Sequence, residues 1–113
     1  MHELSLAESV VELIEDAARR ENFARVKTVF MEIGKLSCVA PDALRIALDH
    51  AARNTCLDGA KLEIFSVDGL GECPVCSVRV TMETSYDCCP QCGAHPLTVM
   101  RGAEMRVLEL DVE

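Results

Sequence analysis

Cys73-Pro74-Val75-Cys76 and Cys89-Pro90-Gln91-Cys92-Gly93 are two Cys-x-x-Cys pairs separated by 12 residues, and their reading decides the fold of the second half of the chain. A two-residue gap lets the backbone turn into a tight knuckle whose amides point at the sulfurs, so both thiolates of a pair can reach one metal at about 2.3 Å. Pro74 and Pro90 pre-set the turn and Gly93 relieves it. Four soft thiolates make a closed tetrahedral set suited to structural zinc. The spacer is slightly shorter than the usual gap of about 15 to 20 residues between such pairs, which a short hairpin bridges. Iron in the same four-thiolate cage, a redox pair and a disulfide framework would use the same residues, and spacing does not exclude iron. Cys88 could replace Cys89 only with a three-residue gap, whereas Cys89 heads the better Cys-Pro-x-Cys-Gly turn.

Composition narrows the class. At 113 residues the chain has room for one ordinary domain or two small ones, and a module under about 40 residues usually needs a metal or disulfides to fold. The zinc would serve residues 69–101 in that way. With 19 acidic and 11 basic side chains the net charge is −8, which repels a phosphate backbone and argues against a nucleic-acid reader. It favours cationic partners or metal ions. Seven cysteines is an odd count, there is no basic-then-apolar leader, and no apolar run approaches the roughly 18 residues of a membrane span. Reduced thiols in the cytoplasm, with no membrane contact, are the expectation.

Along the chain, Ser5-Leu6-Ala7-Glu8 reads as a capping box that starts a helix. Leu6, Val10, Leu13, Ile14 and Ala17 then form an apolar stripe opposite Glu12, Glu15, Asp16 and Arg19, through about residue 22. The run 26–33, closed by Gly34, reads as a strand. Pro41 suits the first turn of a second helix reaching about Asn54, with Leu44, Leu48 and Ala51 inward and Ile46 and Ala47 widening that face. Asp58-Gly59 turns the chain into a strand over 61–67, and Asp68-Gly69-Leu70-Gly71 marks a boundary. Residues 78–84 and 97–101 are candidate strands of the cysteine module. After Gly102, residues 105–112 alternate as a further strand, and an apolar strand so late in the chain must pair or become an aggregation liability. The predicted architecture is α+β: two helices on a small three-stranded sheet, residues 1–68 completed by 102–113, with an inserted zinc-ribbon-like module of two knuckles at 69–101.

Met1-His2-Glu3 is the second chemical feature. A histidine at position 2 lines up the terminal amine, its own backbone amide and its imidazole Nδ1, which can close two fused chelate rings around a metal favouring square-planar nitrogen ligation, such as nickel(II) or copper(II). The Glu3 amide or carboxylate, or a partner's group, can take the fourth position. The bulk of His2 keeps the usual aminopeptidase from removing Met1. Otherwise, a histidine here is an ordinary residue of a frayed terminus.

Met1-His2-Glu3-Leu4-Ser5-Leu6, Glu32-Ile33-Gly34-Lys35-Leu36-Ser37, Pro41-Asp42-Ala43-Leu44-Arg45, the paired Cys-x-x-Cys motifs and Gly102-Ala103-Glu104-Met105-Arg106-Val107 follow one another in an order that resembles the HypA/HybF family of hydrogenase nickel-incorporation proteins, nearly end to end. The resemblance implies a non-enzymatic metallochaperone that carries nickel to the large subunit of [NiFe]-hydrogenase during maturation, working with the nickel-binding GTPase HypB. In some members the nickel also reaches urease and its maturation proteins. It leaves a homodimer open. It implies a nickel site at Met1, His2 and Glu3 and a structural zinc site at Cys73, Cys76, Cys89 and Cys92. Two positions depart from the family pattern. Ala40 stands where some members place a carboxylate near the nickel, with Asp42 only nearby, and Ser77 stands where a glycine often follows the first knuckle.

The remaining candidates read more simply. His95, three residues past Cys92, is an exposed loop residue or an occasional zinc ligand, and His50 a surface or boundary residue. Cys38 and Cys56 fill small apolar sites, and Met31, Met100 and Met105 pack in strands. Glu12, Glu15 and Asp16 form a solvated helix face. No nucleophile with its base, phosphate loop or catalytic carboxylate pair stands out. A zinc-ribbon adaptor with an idle terminus and a rubredoxin-like iron carrier are the competing functional classes.

Overall fold

A computed structural model describes residues 3–113. The order is α1 (Glu3–Glu21), β1 (Val26–Gly34), α2 (Pro41–Ala51), β2 (Lys61–Val67), β3 (Gly69–Glu72), β4 (Arg79–Met82), β5 (Thr98–Arg101) and β6 (Met105–Val112). The class is the expected α+β. One three-stranded sheet has the order β2-β1-β6 and the other β4-β3-β5. The late strand is therefore paired: β6 lies beside β1, with Glu113 bonded to Ala24 and Arg25 at one end and the Gly34 amide donating to Glu104 at the other. Backbone contacts group the chain into two compact units, one made of the chain up to Met31 with Val39–Ile64 and Val107–Glu113, the other of Glu32–Cys38 with Phe65–Arg106.

In the first unit α1 packs on α2. The buried stripe of α1 is Ala7, Val10, Val11 and Ile14, while Leu13 is 56% exposed. This corrects the expected stripe, because a line through 7, 10/11 and 14 leaves residue 13 about a quarter-turn off the contact. The helix also begins earlier than the capping box implies. Ser5 lies inside α1, where its carbonyl accepts a bond from Ser9 Oγ at 3.0 Å, and Glu3 occupies the first turn, where a carboxylate suits the helix dipole. In α2, Pro41 starts the helix, and Leu44 and Leu48 point inward. Ile46 does not widen that face; it is 74% exposed. The helix ends at Ala51 rather than near Asn54, and Asn54, at φ 65°, gives its amide to the Asp58 carboxylate. Val26, Val29 and Met31 of β1 are buried. Glu15 is more than a solvated charge, since its Oε1 accepts the Cys56 amide at 2.8 Å.

In the second unit Gly69-Leu70-Gly71, expected as a boundary, is the central strand β3. It pairs antiparallel with β4, Gly69 facing Met82 and Glu72 facing Arg79, and with β5, with a register shift at Leu70/Gly71. These glycines serve packing. A Cβ on Gly69 would fall 2.7 Å from the Leu36 side chain, and one on Gly71 2.5 Å from Met82 Sδ. With the strand stripped of side chains there, Leu36 and Met82 close over it, and the core of the unit is Leu36, Cys73, Met82, Cys89 and Leu97.

Three chain segments cross at bare backbone beside this core. Lys35 donates its amide to Val67, and Leu36 to Gly102. A Cβ on Gly34 would lie 2.0 Å from the Gly102 carbonyl oxygen, and one on Gly102, at φ 92°, would lie 2.6 Å from Asp68 O and Gly69 Cα. The Lys35–Asp68 ion pair at 2.8 Å sits at the same crossing. Backbone cannot yield as a side chain end can, so Gly34→Ala should cost at least the roughly 1–3 kcal/mol of an overpacked site, whereas Lys27→Ala on the exposed face of β1 should stay within about 0.5 kcal/mol. Denaturant midpoints of the two variants check this; equal midpoints would mean that the crossing relaxes freely.

Candidate metal centre

The two knuckles repeat one backbone device. In the first, the Cys73 amide donates to Val78 O at 2.9 Å and the Ser77 amide to Cys73 O at 2.9 Å. In the second, the Cys89 amide donates to Ala94 O at 3.0 Å and the Gly93 amide to Cys89 O at 2.8 Å. Inside each loop the amides turn inward, those of Val75 and Cys76 lying 3.4 Å from Cys73 Sγ. Closing the loop requires a left-handed residue just after each second cysteine, and Ser77 (φ 61°) and Gly93 (φ 77°) provide it.

The sulfurs converge. Cys73 to Cys92 is 3.5 Å, Cys76 to Cys89 is 3.6 Å and Cys76 to Cys92 is 3.8 Å. All four lie within 4.8 Å of one another and form a group able to hold a metal ion. A tetrahedron with metal–sulfur bonds of about 2.3 Å has sulfur–sulfur edges of about 3.8 Å, close to the three shortest separations here, so the four side chains are placed to hold a single zinc-sized ion. None of the seven cysteines is in a disulfide.

Electrostatics lead to the same fit. The Cys76 amide, and after it the Val75 amide, hold the Cys73 thiol down to about 6 against the opposing effect of burial. For Cys76 the Val78 amide favours the thiolate, but burial and the shared protons of Cys73, Cys89 and Cys92 push it up to about 12. The second pair repeats the pattern. The Cys92 amide, then that of Gln91, lowers Cys89, while Cys73, burial and Cys89 together outweigh the Ala94 amide and raise Cys92. Four sulfurs this close cannot all ionise unless a cation takes the place of the protons, which is what metal binding does.

Cys88 is exposed and stands outside the four-sulfur group, as does exposed His95. Just before the second knuckle, Asp87 folds the loop back on itself. Its carboxylate accepts the Glu83 amide at 2.7 Å and the Thr84 hydroxyl at 2.7 Å, and the Glu83 amide chiefly, with Thr84, holds its carboxyl below the usual range. Thr84-x-x-Asp87 is the sequence signal for this turn.

Of the expected amino-terminal nickel ligands, Met1 and His2 lie outside the described residues. Glu3 is half-buried in the first turn of α1, and its Oε2 accepts the Ala40 amide at 3.4 Å. Ala40 is the N-cap of α2 and has no side-chain cap of its own, so Glu3 reaches the helix end from across the first unit. Asp42 is exposed in the first turn of α2, and His50 is exposed in its last. Cys38 is not in an apolar site; it is exposed, at φ 63°. Cys56 is half-buried, and burial, then Glu15, pushes its thiol up. Met31 packs in the core, but Met100 is 48% exposed.

Ser77 carries a Cβ where its counterpart Gly93 has none. Ser77→Gly should therefore stabilise the chain by up to about 1 kcal/mol, the left-handed strain being partly offset by the freer unfolded backbone. Gly93→Ala should destabilise it by about 1 kcal/mol, through strain alone because its Cβ would meet nothing within 4 Å. Melting of the metal-loaded variants checks the opposite signs, and shifts of the same sign would show that the knuckles are not equivalent.

Residues 1–112 match the family described as "Hydrogenase/urease nickel incorporation, metallochaperone, hypA". The hydrogenase maturation factor HypA of Albidiferax ferrireducens is 50% identical over 113 residues, covering all of both chains, and that of Dechloromonas aromatica is 46% identical with the same coverage. The solution structure of the Ni metallochaperone HypA from Helicobacter pylori superposes with a TM-score of 0.72 at 25% identity, over 99% of this chain and 97% of that one. With residues 1–112 matched by the family and relatives of up to 50% identity covering the whole chain, the chain belongs to the HypA family of nickel-incorporation metallochaperones.

Proposed function

We propose that this chain takes up Ni(II) at its amino terminus and hands it to the large subunit of a [NiFe]-hydrogenase during maturation in the cytoplasm, in concert with the nickel-binding GTPase HypB. Urease is a second destination, in keeping with the family description. The terminal amine, the His2 backbone amide and the His2 imidazole are the nickel ligands, with Glu3 adjoining them. The observation that carries the reading is the position of Glu3. Its carboxylate rests on the amide that opens α2, so the residue next to the chelate belongs to a folded surface and not to a loose tail. A terminal chelate can form and dissolve as the amide proton leaves and returns, which suits cargo. Cys73, Cys76, Cys89 and Cys92 would hold zinc, which when bound cross-links the two knuckles and leaves no position open to an incoming ligand. Structure and cargo are thereby separated. The domain scheme that goes with this is residues 1–68 plus 102–113 for nickel and 69–101 for zinc.

His2→Ala, or any extension ahead of Met1, should abolish nickel binding and leave one zinc per chain, as measured by metal analysis and calorimetry. Nickel affinity should fall as pH falls, because the amine and imidazole must shed protons to coordinate. An extended chain that binds nickel as tightly as the native one would sink the chelate and favour an adaptor role. Cys73→Ser should lose zinc and unfold residues 69–101, since metal binding there is folding free energy. Iron in place of zinc in the purified protein would overturn the structural-zinc assignment. Truncation after Gly102 removes the partner of β1 and should lower the melting temperature of residues 1–68; no change would argue for two consecutive domains.

A further inference from the structure

The four sulfurs are not equally sheltered. Cys73 and Cys89, which open the two knuckles, are 1% and 2% exposed, Cys76 is half-buried and Cys92 is exposed. The cage has a closed side, packed on Leu36, Met82 and Leu97, and one open corner. The sulfur nearest to that corner is Cys73, at 3.5 Å.

We propose that Cys92 is an oxidation site through which peroxide opens the cage, with Cys73 as the resolving thiolate. This rests on the zinc assignment above and is independent of the nickel site. A zinc-bound thiolate is already deprotonated, so access decides which sulfur reacts, and only Cys92 stands at the surface. The Cys92 thiolate attacks one peroxide oxygen. The O–O bond breaks, hydroxide leaves, and Cys92 becomes a sulfenic acid while the peroxide takes up two electrons. The Cys73 thiolate then attacks the Cys92 sulfur, an S–S bond forms, and the S–O bond breaks to release a second hydroxide. Two thiolates, one peroxide and two protons thus give one disulfide and two waters. Closing from 3.5 Å to the roughly 2.05 Å of a disulfide needs a sulfur displacement of about 1.5 Å. The disulfide spans the two knuckles, so it spends one ligand from each. Cys76 and Cys89 remain, and two thiolates do not make a closed four-coordinate site. Cys88 is exposed on the same loop but lies outside the cage; its oxidation would leave the four ligands in place.

The test uses the full chain, with zinc content measured first. One equivalent of hydrogen peroxide is added, free thiols are trapped by alkylation, released zinc is read with a chromogenic chelator, and disulfides are mapped by peptide mass spectrometry. The expected result is one zinc released per two thiols lost, a Cys73–Cys92 linkage, and recovery with a thiol reductant plus zinc. Cys88→Ser should change the release rate by less than about twofold. Zinc retained while Cys38 or Cys88 oxidises would overturn the proposal, as would release through a linkage that omits Cys92. A chain that never held zinc would sink the zinc assignment, and this proposal with it; a zinc-bound cage inert to peroxide would sink the proposal alone.

Discussion

Four cysteine sulfurs brought within 4.8 Å of one another are the constraint on which the second unit depends. Thiolates so placed repel one another: backbone amides hold Cys73 down, while against the Val78 amide burial and the three neighbouring thiols push Cys76 up. A single dication removes that repulsion. Two of the five core residues of this unit, Cys73 and Cys89, are themselves members of the cage, so the apolar core and the metal centre are one object. So small a core, five buried side chains with Cys76, Val78, Val80 and Ala94 packed against it, is of the size that usually needs a metal or disulfides to hold its fold. A dication held by the four sulfurs, as proposed, would supply the remainder.

The sheet β4-β3-β5 is built to close over that centre. Gly69 and Gly71 leave β3 bare so that Leu36 and Met82 can lie against it, and Leu36 carries β1's exit into the same core. Beside it, Gly34 and Gly102 meet at a distance that no side chain allows, which fixes where the chain returns to begin β6. The glycines of this protein are therefore mostly a consequence of close backbone approach. At Gly59 and Gly93 the requirement is a positive φ instead, and at Gly102 both apply.

Nickel handling, as proposed, asks for the opposite of the cage. A closed tetrahedral thiolate site holds its ion, whereas a terminal amine, a backbone amide and one imidazole form a chelate that proton competition can reverse. At Ala40 the loop before α2 offers only its backbone N–H, and Glu3 accepts it. The loop and the first residues of α1 are thus tied together by a bond whose donor does not depend on the residue type at position 40.

The amino-acid order by itself determined the two helices, five of the six strands of the described residues, the four sulfurs and the pairing of the late strand, because each rests on local rules: two-residue knuckle spacing, helical and alternating periodicity, and the cost of an unpaired apolar strand. Choosing Cys89 over Cys88 also followed from turn geometry alone, and the structure places Cys89 in the four-sulfur group. Local rules misled where a distant partner intervened. Ser5 is not the cap because α1 already runs from Glu3, whose carboxylate accepts the Ala40 amide, and half-buried Glu15 accepts the Cys56 amide. Ile46 and Leu13 are apolar yet exposed, since helix-to-helix geometry and not periodicity selects the buried line. The Gly69-Gly71 stretch reads as a linker in one dimension and is a central strand in three, for what it accommodates, the Leu36 and Met82 side chains, comes from residues 13 or more positions removed from Gly69. Which sulfur faces solvent was likewise decided only by tertiary packing, because burial of Cys73 and Cys89 and exposure of Cys92 depend on which side of the cage the core covers.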